Sequence, residues 1–313
     1  MARKAFIFPG QGSQYAGMGK NLTDNFKVAA DVFAEADAAL GFYLSRLCFK
    51  GPEEELKLTT NTQPAILATS IAALRVLATE TGITADFLAG HSLGEYSALV
   101  ASGAMAFADA VRTVRARGAF MQEAVPVGVG AMAAILGVEA DILAEICQEA
   151  AQNEVVTPAN FNSPGQIVIA GHSGAVNRTI EIAKTRGFRK AMLLPVSAPF
   201  HCALMVTAGE RLAEVLAGVS INPLQQPVIT NAEAKPNSDP VRVKELLVKQ
   251  VSAPVLWDAS VLEMVHLGVT SFVEIGPGKV LSGLVKRINR EVVTCNIEES
   301  AGVKAITRED ICS

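Results

Sequence analysis

In the stretch LAGHSLGEYSALV (88–100) a serine stands between two glycines, each two residues away, directly after an apolar run. Gly90-His91-Ser92-Leu93-Gly94 fits G-x-S-x-G, with strand-like ADFLAG before it and helix-like EYSALVASGA after it. A strand that turns at once into a helix brings two backbone segments together, and a side chain at either glycine position would clash. Such a bend puts the serine on strained backbone at the head of a helix, whose free N–H groups point the same way. The bland alternative is a serine that merely caps a helix. Ser173, in AGHSGAV (170–176), reads that way, because its second glycine follows the serine at once.

The rest of the chain supplies the sheet that such a bend needs. KAFIF (4–8) reads as a short buried strand stopped by Pro9-Gly10, and TQPAILATSIAALRVLATETG (62–82) as a long apolar helix. Strand and helix then alternate, which implies parallel strands with helices on both faces. Residues 127–195 change rhythm: strand-like GVGAMAAILGV, helical EADILAEICQEAAQ, strands EVVTPANF and GQIVIAG across the turn NSPG, helical GAVNRTIEIAKTRG and strand-like KAMLLPV. That β-α-β-β-α-β order is ferredoxin-like. The expected fold is therefore α/β: an α/β-hydrolase-like parallel-sheet core from residues 1–126 and 196–313, with a small ferredoxin-like subdomain inserted at 127–195. ALMVTAGERLAEVLAGV and VKELLVKQV read as later helices, QPVITN and SFVEIG as later strands, and the last dozen residues as a frayed tail.

Composition narrows the function. Of 313 residues, 50% are hydrophobic and 19% charged, and the net charge is −4. This suits a chain with a large core and argues against nucleic-acid or membrane partners. The five cysteines form no C-x-x-C pair and the four histidines stand singly, so zinc and disulfide frameworks are not expected. The N-terminal apolar run is too short for a signal peptide and no run reaches a membrane span, so a cytoplasmic protein is expected.

A serine hydroxyl needs a base. His91 adjoins the serine but should leave the bend in another direction; His172 lies in the Ser173 turn; His266 lies near a helix end. His201, in SAPFHCAL, follows a strand and starts a helix, where sheets of this kind place active groups. On position alone, a satisfied buried histidine fits it equally well. Arg112, Arg115 and Arg117 read most simply as a solvated helix face.

Several segments together resemble the malonyl-CoA:acyl carrier protein transacylases and the related acyltransferase domains of polyketide and fatty acid synthases. They are FPGQGSQYAGMG, NTQPAI, GHSLGEYSAL, RARG (115–118), NSPGQIVIAG, SAPFH, NA at Asn231, QVSAPVLW and EIGPGKVL, in the family's order along nearly the whole chain. The resemblance implies that Ser92 is acylated, that His201 is its base, and that a backbone carbonyl, at Gln250, orients the histidine in place of an acid. It implies an oxyanion hole from the N–H groups of Gln11 and Leu93, Arg117 on the malonyl carboxylate, and Gln63 lining the pocket. Bulky Phe200 before the histidine, with Leu93 after the serine, implies malonyl over methylmalonyl. Cys202 stands where many relatives have a small polar residue, usually serine.

No cofactor is implied, since the CoA thioester is the substrate. The implied partners are malonyl-CoA and a transient, acidic acyl carrier protein that would dock on basic surface such as KTRGFRK (184–190) or Lys286, Arg287 and Arg290; a monomer is expected. Fatty acid synthesis is the main reading. A polyketide-line acyltransferase, a serine thioesterase and a non-catalytic carrier-binding subunit are the alternatives.

Overall fold

The computed structural model describes residues 3–196 and 198–308; Ser197, the first residue of SAPFH, and residues 309–313, Cys312 among them, lie outside. The described strands are β1 (Arg3–Phe8), β2 (Phe87–Gly90), β3 (Gly130–Leu136), β4 (Val156–Ser163), β5 (Gln166–His172), β6 (Lys190–Leu193), β7 (Val228–Ile229), β8 (Pro236–Asn237), β9 (Val255–Leu256), β10 (Val269–Ile275) and β11 (Val293–Ile297). They form two sheets, ordered β11-β10-β1-β2-β7-β8 and β6-β3-β5-β4-β9.

The larger sheet is parallel from β11 through β7, and only the β7–β8 edge is antiparallel. β1 is central and covered on both faces, which its uninterrupted apolar run requires. Ala5 and Ile7 pack with Trp257, Val261 and Leu284. Phe6 and Phe8 face the core that holds Ile66, Leu67 and Ile71. Those three belong to the helix Thr59–Thr81, which is buried around most of its circumference and so carries no polar stripe.

The smaller sheet has the order β6-β3-β5-β4, antiparallel throughout, with the helices Ala140–Ala151 and Ser173–Thr185 in the two crossovers. This is the strand arrangement of a β-α-β-β-α-β unit. Its fifth strand, β9, comes from outside residues 127–195 and adds parallel to β4, Asn160 opposite Val255 and Phe161 opposite Leu256. Two residues give no periodicity to read, so the sequence carries no sign of this junction.

Some expectations change. The helices Lys20–Asn25, Lys27–Leu40, Leu44–Lys50 and Glu53–Lys57 fill a region left unread. The supposed frayed tail begins as a helix, Ser300–Arg308, that buries Val303 and Ile306 against the main core. Ser173 is not an N-cap: His172 holds that position, and the Ser173 hydroxyl donates to the Gly128 carbonyl at 2.9 Å. Among the described residues no helix is long and apolar enough to cross a membrane.

The bend after β2 shows why both glycines are needed. A Cβ on Gly90 would lie 1.9 Å from the Gly94 carbonyl carbon, and one on Gly94 would lie 2.1 Å from the Phe8 carbonyl oxygen. Both obstacles are backbone, so nothing flexible can yield. Gly90→Ala and Gly94→Ala are each expected to cost more than about 3 kcal/mol in thermal or denaturant unfolding. Gly283→Ala is the control. It lies in the helix Val280–Ile288 with open space around its missing Cβ, and should gain roughly 0.5–1 kcal/mol.

Candidate active site

The bend ends β2 beside the end of β1, where the His91 N–H donates to the Phe8 carbonyl at 3.1 Å. It leaves Ser92 at φ 52°, in the left-handed region, where a non-glycine residue costs of order 1–3 kcal/mol. Two side chains pin that backbone. Asn231, just beyond β7, accepts the Ser92 N–H at 2.6 Å and donates its own Nδ2 to the Gly90 carbonyl at 2.7 Å. Gln250 donates Nε2 to the Ser92 carbonyl at 3.0 Å. Leu93 follows at the head of the helix Gly94–Ala101 and lines a cavity of about 160 Å³.

His201 faces Ser92 from the segment after β6. Its Nε2 is 2.7 Å from Ser92 Oγ, and its Nδ1 is 2.9 Å from the Gln250 carbonyl oxygen. A carbonyl only accepts, so Nδ1 carries the hydrogen and the Nε2 lone pair receives the serine hydroxyl. Burial, with the Arg117 charge adding to it, lowers the imidazole to about 3 and keeps it neutral. His201 also has positive φ, 60°, so both members of the pair sit on unfavourable backbone.

Arg117 comes from the helix Phe107–Glu123 and is 2% exposed. The solvated face expected of this helix holds for Arg112, which pairs with Asp109 at the surface, while the Arg115 guanidinium lies 4.3 Å from the centre of the Phe42 ring. Arg117 points inward. Nη1 donates to Gln63 Oε1 at 2.7 Å, and Nη2 to Gln250 Oε1 at 2.9 Å and to Ser92 Oγ at 3.1 Å. Its Nε has no partner among the described residues. Gln63 in turn donates to Thr59, whose hydroxyl donates to Gln11 Oε1 at 2.9 Å, so the loop after β1 is tied to the same network. Gln11 and Phe200 also line the cavity.

All eight residues singled out from the sequence, Ser92, His201, Gln250, Gln11, Leu93, Arg117, Gln63 and Phe200, thus meet at or beside one cavity. His91 is closer to it than expected: its ring lines the cavity wall and its Nε2 lies 2.8 Å from Asn162 Oδ1 on β4. Cys202 is buried, donates to the Pro199 carbonyl at 3.1 Å, and has its thiol pushed up to about 11 by burial, so it is no nucleophile.

Three further site residues lie inside quoted segments that give them no role of their own: Asn162 in NSPGQIVIAG, Asn231 in NA and Glu95 in GHSLGEYSAL. Glu95 is a lone carboxylate in the apolar helix GEYSALVA, a visible anomaly. It is 2% exposed and accepts the Asn231 N–H at 2.9 Å and Gln250 Nε2 at 2.8 Å on one oxygen. As for the proposed basic surface, Lys184 pairs with Glu181, Arg186 with Glu149, and Arg287 donates to Gln166.

This geometry offers a hydroxyl with its base in line, amides at a helix head and a buried guanidinium opposite. That is equipment for moving an acyl group that carries an anion. Comparison with known proteins agrees. The acyl transferase domain model matches residues 5–308. The malonyl CoA-acyl carrier protein transacylase of Bacillus subtilis (strain 168) is 51% identical over 300 residues, 96% of this chain and 94% of that one. The solved structure of the transacylase of the same name from Coxiella burnetii has a TM-score of 0.96 at 41% identity, covering 98% of this chain and 97% of that one. A malonyl-transacylase solved in complex with its type II PKS acyl-carrier protein also reaches 0.96, at 44% identity, covering 98% of this chain and all of the other. The chain belongs to the acyl transferase domain family.

Proposed function

We propose that this protein moves the malonyl group from malonyl-CoA to the phosphopantetheine thiol of an acyl carrier protein, through a malonyl ester on Ser92. The observation that carries the reading is the placement of Ser92 Oγ between His201 Nε2 at 2.7 Å and Arg117 Nη2 at 3.1 Å inside one cavity. The reading is also what its relatives' names say of them.

In the first half-reaction neutral His201 takes the hydroxyl proton as Ser92 attacks the thioester carbonyl. The Leu93 and Gln11 amides hold the oxyanion. The imidazolium that forms is oriented by the Gln250 carbonyl, and it returns its proton to the departing CoA thiolate. In the second half, His201 removes the proton of the carrier thiol, which attacks the serine ester; the acyl–Oγ bond breaks and the imidazolium returns its proton to Ser92 Oγ. The exchange is ping-pong. Arg117 meets the malonyl carboxylate with two parallel N–H groups, which an ammonium could not do. An acetyl group would leave that buried charge without its partner. The thioester is itself the activated acid, so no cofactor is required.

Supply of extender units for fatty acid synthesis is the main setting. Loading of a polyketide carrier is the second, because one neighbouring structure holds a type II PKS carrier.

Mass spectrometry after incubation with malonyl-CoA should find a malonyl adduct on Ser92. Ser92→Ala should abolish it, and Arg117→Ala should lose it while gaining some acetyl adduct from acetyl-CoA. An unmodified wild-type serine would overturn the reading, and free malonate in place of malonyl-carrier product would favour a thioesterase.

Phe200 lines the cavity next to His201, and its bulk leaves little room there for a 2-methyl branch. Malonyl-CoA should therefore be preferred over methylmalonyl-CoA by at least about ten-fold in kcat/KM, the scale of one methyl group against a packed wall. Equal turnover would refute it.

The acylation burst at saturating malonyl-CoA should show no acid limb between pH 8 and 5.5, because His201 is held neutral throughout. An imidazole near 6.5 would lose roughly ten-fold at pH 5.5. A drop of that size would show that the base is not held neutral.

A further inference from the structure

Arg117 is buried with only neutral oxygens against it, yet a carboxylate lies one side chain away. Gln250 accepts from Arg117 Nη2 on Oε1 at 2.9 Å and donates Nε2 to Glu95 at 2.8 Å. The amide dipole thus runs from the cation to the anion. Resting on the transacylase reading above, we propose that Glu95 is a positioning residue that balances the Arg117 charge through Gln250 while the acyl site is empty, and takes up a proton when the malonyl carboxylate arrives.

The arrangement separates two needs. A carboxylate directly on Arg117 would occupy the fork that the substrate must use. No carboxylate at all would leave a bare cation in a dry cavity, which is costly. A relayed partner supplies negative potential and leaves the guanidinium bonded only to neutral oxygens, which an incoming carboxylate can displace. When the substrate's carboxylate binds, two anions share one cation in a low-dielectric pocket, and the weaker acid takes a proton. The balance is simple: one proton from solvent adds to the Glu95 carboxylate to give the neutral acid. Both donors converge on Oε2, which leaves Oε1 to carry it.

The surroundings suit such a titration. Burial pushes Glu95 up to about 7, opposed by the bonds from Asn231 and Gln250 and by the Arg117 charge. The ionisable groups facing it are Arg117 from the helix Phe107–Glu123 and Tyr96 from its own helix, whose phenol burial also raises. His201 reaches it only through Gln250, and Asn231 and Gln250 are neutral. Behind Glu95 a void of about 10 Å³ is bounded by Leu99, Val228, Thr230, Asn237, Val243 and Leu246, none of them ionisable.

The test is calorimetry on Ser92→Ala, which cannot be acylated, in buffers of different ionisation enthalpy at pH 7.5. Binding of malonyl-CoA should take up a fraction of a proton. Acetyl-CoA carries the same phosphates and should take up none in excess of them. Adding Glu95→Gln should abolish the uptake and tighten malonyl-CoA, not acetyl-CoA, by up to about four-fold, the limit that linkage sets for a group near 7 at pH 7.5. A purely structural Glu95 would give neither effect. Absence of uptake in Ser92→Ala, or its persistence in the double variant, overturns the proposal. Should the double variant not fold, wild-type KM for malonyl-CoA must fall between pH 8 and pH 6 while that for acetyl-CoA stays flat; a flat malonyl-CoA profile overturns it. A malonyl adduct on wild-type Ser92 without proton uptake sinks this proposal alone, whereas no adduct sinks the transacylase reading itself.

Discussion

Burying a guanidinium costs several kcal/mol unless its N–H groups find acceptors. Arg117 finds three, all neutral: the amide oxygens of Gln63 and Gln250 and the hydroxyl of Ser92. Much of the site follows from that solution. The two glutamines must come from different elements to reach both prongs, so the helix Thr59–Thr81 and the helix Val243–Ser252 are fixed relative to the helix that carries Arg117. Gln250 then has its backbone carbonyl free for His201 and its amide nitrogen free for Ser92 and Glu95. One residue joins the base, the nucleophile's backbone and the cation. Burial, with the positive charge beside it, keeps the histidine neutral, and its partner is a carbonyl. A carboxylate on Nδ1 would compete for the guanidinium that the substrate needs.

The chemistry was legible where a single residue type is irreplaceable. Gly90 and Gly94 announced the bend because no side chain fits there, and the bend announced Ser92. Arg117 was not legible from periodicity. It sits in RTVRARG beside solvated Arg112 and beside Arg115, which is half-buried against Phe42, and only its angular position on the helix sends it fully inward. His201 was one of four histidines, and position alone did not separate it from a buried structural one. The resemblance selected both. Glu95 and Asn231 were missed because their task is to hold other residues, and support of that kind has no fixed spacing in sequence.

The fold was read best where elements are long or bounded by clear turn residues. The helix Thr59–Thr81 and the antiparallel strands of the small sheet announce themselves through apolar runs and turn residues. Three of the helices within residues 20–57 escaped because they are short and have no side-chain N-cap bond, whereas the fourth, Lys27–Leu40, carries a legible amphipathic pattern with Ala29, Val32, Phe33 and Ala36 buried and a Gly41 stop. β7, β8 and β9 are two residues each, and a pair of residues has no period. Their positions are set by partners far away in the chain.

β9 pairs with β4 in the smaller sheet and reaches the segment just beyond β7 by one main-chain bond. It lies against Asn160 and Phe161 of β4, while its Leu256 N–H donates to the carbonyl of Asn231, the residue that pins the nucleophile's backbone. The small unit is thus not a hinged cover laid over the larger one. Any swing that widened the cleft would have to tear ladder bonds or carry the serine along with it. Widening the cleft would therefore cost main-chain hydrogen bonds as well as side-chain contacts.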